Sequence, residues 1–362
     1  MKISIIGTRG IPNYYGGFEQ LACYLGEGLT KIGHKVFVYN PDHHPYKGDF
    51  WNGVTIIRKR GWENAIGRFG QFLFDLLCIL DTRKRRFDIV LELGYTSNSL
   101  WFWLYKRDQV VVTNIDGLEW KRRQHSWIVQ KYLLFAEKLA VKYSNCVISD
   151  SIGIQDYVKT KYKLDSVYIP YGGHVFDSPD KSILTRYEVQ KHRFNTMIIR
   201  FLPENNTEMI LEGVELSGRD EKMLVIGDYN NKFGNKLLER FKSVESIKFL
   251  GRINDVETLN NMRYYSNIYF HGHSVGGTNP SLLEAMAASA LICAHDNPFN
   301  RSILGDDGFY FRDSKDVASF LDTLSKEDHR DKIASNLSKI TNIYSWDNIV
   351  DQYLSAFVKY VN

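Results

Sequence analysis

The residues best suited to chemistry lie between His271 and Arg301, in HGHSVGGTNPSLLEAMAASALICAHDNPFNR. Ile268, Tyr269 and Phe270 form a short apolar run that predicts a buried strand, and the run stops at a loop holding Gly272, Gly276 and Gly277. Beyond the loop, Asn279 or Ser281 can cap a helix in which Leu282, Leu283, Met286 and Ala287 recur at helical spacing. A second apolar run, Leu291 to Ala294, follows. A strand, glycine loop and helix in that order aim free backbone N–H groups and the positive end of the helix dipole into the loop. An anion such as a nucleotide diphosphate is stabilised there. Glu284 stands one turn into the helix among apolar neighbours. It either caps its own helix or accepts hydrogen bonds from paired hydroxyls such as those of a ribose, and spacing alone favours the cap. His271 and His273 are suitably spaced to share one face of an extended segment, as zinc ligands can. With no third ligand indicated nearby, strand-end packing or a phosphate contact is the better reading.

The elements that must position such a site alternate along the chain. KISII (2–6) predicts a strand ending at Gly7 and Gly10. The loop TRGIPNYYGG leads to a helix with Phe18, Leu21, Ala22, Leu25 and Leu29 on one face, and KVFVYN is the next strand. The glycines do not match GxGxxG, and Gly16 and Gly17 sit at the helix start instead. Further strands are predicted at VTIIR (54–58), DIVLELG (88–94), QVVVTNID (109–116) and NCVISD (145–150). Alternation of strands and helices implies a parallel sheet covered on both faces, with ligands in the crevice at the carboxyl ends of the strands. Tyr95, Asn98, Asp116, Glu119, Asp150 and Ser151 occupy such ends, Asp116 in NIDGLEWKRR foremost, although an Asp before Gly is by type a turn or cap residue. The stretch YIPYGGHVFDSPDKS (168–182) loses periodicity and marks a boundary, after which TMIIRFL, a helix over about 206–216, MLVIGD (223–228) and SIKFLGRI (246–253) form a second series. The expected division is 1–176, 177–345 and a terminal helix over 346–362, with Trp346, Ile349, Val350, Tyr353 and Phe357 on one face.

With 362 residues, 44% of them hydrophobic and 24% charged, the chain suits two soluble domains with a cleft between them, and no run is long and apolar enough to span a bilayer. The four-residue apolar run near the N-terminus is too short for a signal peptide, so a cytoplasmic location is expected. Cys23, Cys78, Cys146 and Cys293 lie apart in apolar surroundings, which predicts buried reduced thiols. Net charge is +4, yet basic residues cluster at 58–60, 83–86, 106–107 and 121–123. Two of these clusters flank the greasy segments FGQFLFDLLCIL and LWFWLY, a composition that fits the inner surface of a membrane. No nucleic-acid signature accompanies the basic residues. Neither a Gly-x-Ser-x-Gly elbow nor a GxxxxGK[ST] loop occurs, which removes hydrolase and kinase readings, and no Asp-x-Asp triplet is present, which favours a metal-independent site.

GGTNPSLLEAMAAS followed by DNPFNR resembles the donor-binding segment of family 4 glycosyltransferases, and GTRGIPNYYGGFE and DGLEW resemble that family's rhamnosyltransferase branch. The resemblance extends over nearly the whole chain. It implies the GT-B fold: two Rossmann-like, doubly wound parallel-sheet domains facing across a cleft, an N-terminal acceptor-binding one, a C-terminal donor-binding one, and a terminal helix crossing back to the first. It implies Asp116 and Glu119 as catalytic residues. The donor set it implies is Gly16, Gly17, Arg200, Asn205, Arg252, Ile253, His273, Gly276, Gly277, Thr278, Asn279 and Glu284. Two positions depart from the family pattern: Gly276 stands where a first Glu is usual, and Asn205 where a Lys would join Arg200 on the diphosphate. The expected function is retaining transfer of a sugar, L-rhamnose from dTDP-L-rhamnose or a sugar from a UDP-sugar. The acceptor is expected to be a polyprenyl-diphosphate-linked saccharide in bacterial surface-polysaccharide assembly, reached at the inner face of the cytoplasmic membrane without a metal. A nucleotide-sugar epimerase and an inactive membrane-docking protein of the same fold are the alternatives.

Overall fold

The computed structural model describes residues 1–121 and 125–361; Arg122 and Arg123 of the expected basic cluster lie outside them. In chain order the elements are β1 (Lys2–Ile6), α1 (Gly17–Lys31), β2 (Lys35–Pro41), β3 (Phe50–Trp51), β4 (Val54–Lys59), α2 (Glu63–Ile66), α3 (Phe69–Arg85), β5 (Ile89–Leu93), β6 (Val110–Ile115), α4 (Trp127–Tyr143), β7 (Cys146–Ser149), α5 (Ile152–Tyr162) and β8 (Val167–Tyr168). They continue with α6 (Ser182–Arg186), β9 (Phe194–Ile198), α7 (Thr207–Ser217), β10 (Lys222–Ile226), α8 (Lys232–Phe241), β11 (Ile247–Gly251), α9 (Val256–Tyr265), β12 (Tyr269–His271) and α10 (Pro280–Ala287). The last are β13 (Ile292–His295), α11 (Pro298–Leu304), β14 (Phe309–Phe311), α12 (Ser314–Thr323), α13 (Arg330–Asn342) and α14 (Trp346–Val361). Short 3-10 turns at Ser99–Leu104 and Glu119–Lys121 follow β5 and β6.

Two compact units result, Met1–Gly172 with Trp346–Asn362, and Gly173–Ser345. The division falls after Gly172 rather than after 176, because Gly173 N–H donates to Tyr344 O at 2.7 Å and Phe176 N–H to Ala287 O at 3.0 Å. Those bonds bind the segment to the second unit.

Each unit is a doubly wound sheet, mostly parallel, as the strand and helix alternation implies. The first has the order β3-β4-β2-β1-β5-β6-β7-β8, with only the short β3 antiparallel. The second has the order β11-β10-β9-β12-β13-β14. In both, the chain winds one way from the first strand and then returns to wind the other way. Since crossovers are right-handed, this covers both faces with helices and leaves a gap at the carboxyl ends of the two strands where the direction changes. In the second unit that switch point lies between β9 and β12, in the first between β1 and β5. Alternate residues of β10 serve the two faces: Met223 and Val225 pack with Leu211, Phe270 and Cys293, while Leu224 and Ile226 pack with Phe194 and Met262. All four cysteines are buried and free, and burial pushes the Cys23 thiol up to about 12.

The helix α14 completes the first unit. Tyr353 accepts a 2.5 Å hydrogen bond from Asn114 Nδ2, and the Trp346 ring lies 4.6 Å from that of Tyr24. Gly28 permits α1 to approach it, since a Cβ there would stand 2.4 Å from Val350 Cγ2. Alanine at 28 gains about 1 kcal/mol of helix propensity, whereas overpacking costs about 1–3 kcal/mol. Gly28→Ala is therefore expected to lower the midpoint of thermal unfolding, and adding Val350→Ala to relieve the contact should recover most of the loss.

Candidate functional site

The switch point of the second unit is built from two loops tied to each other. Beyond β9, Arg200 is exposed, and its carbonyl accepts a 2.6 Å bond from Asn205 Nδ2. Asn205 is itself buried, and one of its amide N–H groups shapes the turn that carries Arg200. Asn206 Nδ2 donates to Gly272 O at 2.8 Å, and Ser274 N–H and Oγ–H both donate to Glu204 O, at 3.1 and 2.7 Å. Any side chain at 272 is excluded, because its Cβ would lie 2.0 Å from Asn205 O. From the other side, Asn297 and Asn300 at the start of α11 donate to His273 O at 3.1 and 3.0 Å. The DNPFNR segment thus clamps the glycine loop; Asp296 in it bridges Arg301 and Arg312, and these hold its carboxyl down at about 2.

Gly276 has φ +132° with open space where a side chain would project, and Gly277 and Thr278 are buried behind it. Asn279 is the N-cap of α10, its Oδ1 accepting from Ser281 N–H at 3.0 Å. That corrects the reading of Glu284 as a cap. Glu284 lies past the first turn and accepts a 2.6 Å bond from Arg263 Nη2, which also donates to Ser281 Oγ at 3.2 Å. The Arg263 side chain is 1% exposed and that of Glu284 31%, so a buried guanidinium leans on a carboxylate that keeps contact with solvent. His271 is fully buried, neither of its ring nitrogens has a hydrogen-bond partner among the described residues, and its ring stacks 4.5 Å from His273. Burial, with His273 and Arg263 nearby, drives its pKa well below the ordinary value and keeps the imidazole neutral. Among the described residues no His, Cys, Asp and Glu group of three could hold a metal. Arg252, past the edge strand β11, is exposed and donates to Asn254 Oδ1 at 2.7 Å, while Ile253 packs partly against the core.

In the first unit Gly16 is the extended N-cap of α1 and Gly17 its first residue. The loop before them is fixed by Arg9, whose N–H donates to Glu19 Oε1 at 2.8 Å and whose guanidinium pairs with Glu63 at 2.7 and 3.1 Å. The same guanidinium lies 3.8 Å from the Tyr15 ring. Asp116, half-buried beyond β6, accepts from Tyr171 OH at 3.2 Å, and burial and that carboxylate push the phenol well above its usual pKa. Asp116 and Glu119 lie on one loop held by a buried hub. Glu137 of α4 is fully buried and accepts from Tyr157, Lys161 and Tyr162 at 2.7, 2.9 and 2.6 Å, and Trp120 Nε1 in turn donates to Tyr157 at 3.2 Å. Tyr95 donates to Gly117 O at 3.3 Å in the same loop. Two other strand-end candidates do structural work: Asn98 Oδ1 accepts from Ser99 N–H at 3.0 Å, and Ser151 caps α5. Asp150 is fully buried. Arg263, Arg9, Glu63 and Glu137 were not singled out from the sequence.

A family model described as a domain of unknown function, DUF1972, matches residues 100–174, the stretch that holds the Glu137 hub. No curated protein matches significantly. Among solved structures, sucrose-phosphate synthase from Thermosynechococcus elongatus superimposes with a TM-score of 0.81 at 15% identity, covering 99% of this chain and 98% of that one. A glycosyltransferase from Rickettsia africae gives 0.76 at 16% identity, covering 99% and 98%. Anabaena HepE in complex with UDP gives 0.74 at 14% identity, covering 99% and 100%. The fold is GT-B.

Removing the Glu284 carboxylate leaves the buried guanidinium short of its charged acceptor, and hydrogen bonds between charged groups are worth about 1.5–3 kcal/mol. Glu284→Ala should lose about that much in denaturant unfolding, and Glu284→Gln, which keeps an acceptor, clearly less. Equal stability of both variants and the wild type would show that Arg263 does not depend on Glu284.

Proposed function

We propose that the chain is a glycosyltransferase whose second unit binds a nucleotide sugar and whose first unit binds the acceptor. The observation that carries the reading is the β9–β12 switch point, where the exposed Arg200, a clamped glycine loop and the start of α10 meet. A guanidinium and backbone N–H groups at a helix start suit a diphosphate, and the solvent-contacting carboxylate of Glu284 is of a type that can accept from ribose hydroxyls. Anabaena HepE, of the same fold, was crystallised with UDP and with UDP-glucose.

The donor we infer is dTDP-L-rhamnose, and the acceptor a polyprenyl-diphosphate-linked saccharide of bacterial surface-polysaccharide assembly, met at the inner face of the cytoplasmic membrane. In retaining front-face transfer the bond from sugar C1 to the diphosphate oxygen breaks and the acceptor hydroxyl oxygen bonds to C1. The departing diphosphate takes the hydroxyl proton. The step asks for no protein base; the chain's part is to hold both substrates and to stabilise the leaving group, for which Arg200 supplies a cation. Asp116 orients the acceptor or the reacting sugar.

Gly276 supports the donor assignment. Its φ of +132° suits glycine, so the loop offers backbone where a carboxylate would grip sugar hydroxyls. A site without that carboxylate cannot reward the extra hydroxyl of a hexose, and burying a hydroxyl unpartnered costs free energy. With a lipid-linked acceptor, transfer from dTDP-rhamnose should outpace transfer from UDP-glucose when lipid product is followed by mass spectrometry; the reverse order would discard rhamnose, and no transfer from any nucleotide sugar would discard the transferase. Asp116→Asn should slow turnover at least about tenfold, or about 1.4 kcal/mol of transition-state stabilisation, with unfolding unchanged. Wild-type turnover would reduce Asp116 to a loop residue.

A further inference from the structure

The helix α4 presents a ridge that no described residue of the first unit covers. Ile128, Lys131, Phe135, Lys138 and Lys142 follow one another at alternating steps of three and four residues, and all are exposed. Trp127 begins the helix at 64% exposure, Ile128 is at 62%, and Lys131 Nζ lies 4.6 Å from the Trp127 ring. The only carboxylate of α4, Glu137, points to the opposite side, where it is buried and satisfied by Tyr157, Lys161 and Tyr162. The ridge is therefore apolar and cationic, with no acid among its residues.

Its neighbours extend the same character. Helix α3 packs beside α4 through Phe72 and Tyr132, whose rings are 5.8 Å apart, and exposes Phe69, at 74%, with Leu73 and Leu80 on one helical face. The 3-10 turn Ser99–Leu104 joins the two helices: Trp101 Nε1 donates to Phe72 O at 3.1 Å, and the Phe102 ring stacks 3.6 Å from Tyr143. The turn leaves Trp103 exposed. Asp75 of α3 is buried, and Asp81 is occupied by Lys59, Arg85 and Tyr39.

We infer that the α3–α4 layer of the first unit docks on an anionic phospholipid surface, with Trp127, Ile128 and Phe135 entering the headgroup region and Lys131, Lys138 and Lys142 meeting lipid phosphates. Charge decides between occupants. A second copy pairing ridge to ridge would set lysines against lysines, and a neutral bilayer would leave them unused. An RNA would use the lysines and leave Ile128, Leu73 and Leu80 in water. An anionic interface satisfies both kinds of residue at once. The proposal extends the reading of a lipid-linked acceptor, and the following assay contains no sugar nucleotide, so either can fail alone.

The full chain is mixed with phosphatidylcholine vesicles that contain or lack phosphatidylglycerol, and bound protein is measured by flotation. Binding should require phosphatidylglycerol and weaken as salt rises. With each interfacial lysine worth about fivefold in partitioning, Lys131→Gln, Lys138→Gln and Lys142→Gln together should reduce it on the order of a hundredfold. Ile128→Ser with Phe135→Ser should weaken it further at high salt, where electrostatic attraction is screened. Thermal unfolding should stay as in the wild type for both variants, since every altered side chain is exposed. Equal binding to vesicles without phosphatidylglycerol, unaltered binding by both variants, self-association removed by the same substitutions, or a preference for single-stranded RNA over vesicles would each overturn the proposal. Vesicle binding without transferase activity would leave it standing and remove the enzymatic reading instead.

Discussion

A guanidinium remains charged at any pH a protein meets, so burying one commits the surrounding structure to supplying acceptors. Arg263 makes that demand at the centre of the second unit. It stands on α9 with its ring-facing side 5.8 Å from Tyr269 of β12 and its donors on Asn260, Ser281 and Glu284. The loop over 272–279 leaves β12 and enters α10, so both of its ends are moored to the same cation. Tyr269 OH and Ser281 Oγ, 2.9 Å apart, close the circuit between strand and helix. A loop fixed at both ends, and clamped in between by Asn297 and Asn300, can present backbone N–H groups without reorganising when an anion arrives.

The hydrophobic period was enough to place most elements, because a parallel sheet with both faces covered writes its strands as short apolar runs. KISII is β1 residue for residue, and VTIIR and NCVISD differ from β4 and β7 only at their ends. The glycine loop and the cap at Asn279 were legible for the same local reason: turn and cap residues announce themselves within a few positions. Glu284 was not, since its partner is 21 residues away on another helix. Within VETLNNMRYY, Arg263 reads as a solvent-facing residue, and only its position beside the buried Met262 and Tyr265 hints otherwise. Arg9 and Glu63 are separated by 54 residues and Glu137 and Tyr162 by 25, so periodicity cannot join them. Polar type alone also misled: Asn98 and Ser151 stand at strand ends, as ligands do, but their oxygens serve backbone N–H groups.

The two units solve one problem twice. In each, a loop beside the switch point needs support from segments distant in sequence, and each recruits a buried or half-buried arginine–carboxylate pair, Arg9 with Glu63 and Arg263 with Glu284. The exposures differ in a way that matters. Both partners of the first pair retain solvent contact, at 28% and 27%, so solvent shares the solvation of both charges and neither depends wholly on the other. In the second pair only the carboxylate retains it, so the guanidinium relies on protein acceptors alone, Glu284 with Asn260 and Ser281.

Buried charge of this kind is a poor source of net stability, because desolvation offsets much of the attraction, and well-packed apolar groups of similar volume often do as well or better. The Glu137 hub makes the point most clearly. It spends a fully buried carboxylate, two tyrosine hydroxyls and a lysine where a few leucines would fill the space. What leucines could not do is fix direction. Hydrogen bonds from Tyr157 and Tyr162 set the carboxylate's orientation, Trp120 donates into the same network, and Tyr95 reaches the Gly117 carbonyl. The loop bearing Asp116 and Glu119 is thereby attached to α4 and α5 by bonds of defined length and angle rather than by contact alone. The geometry of that loop, more than the stability of the unit, is what the hub's polar chemistry supplies.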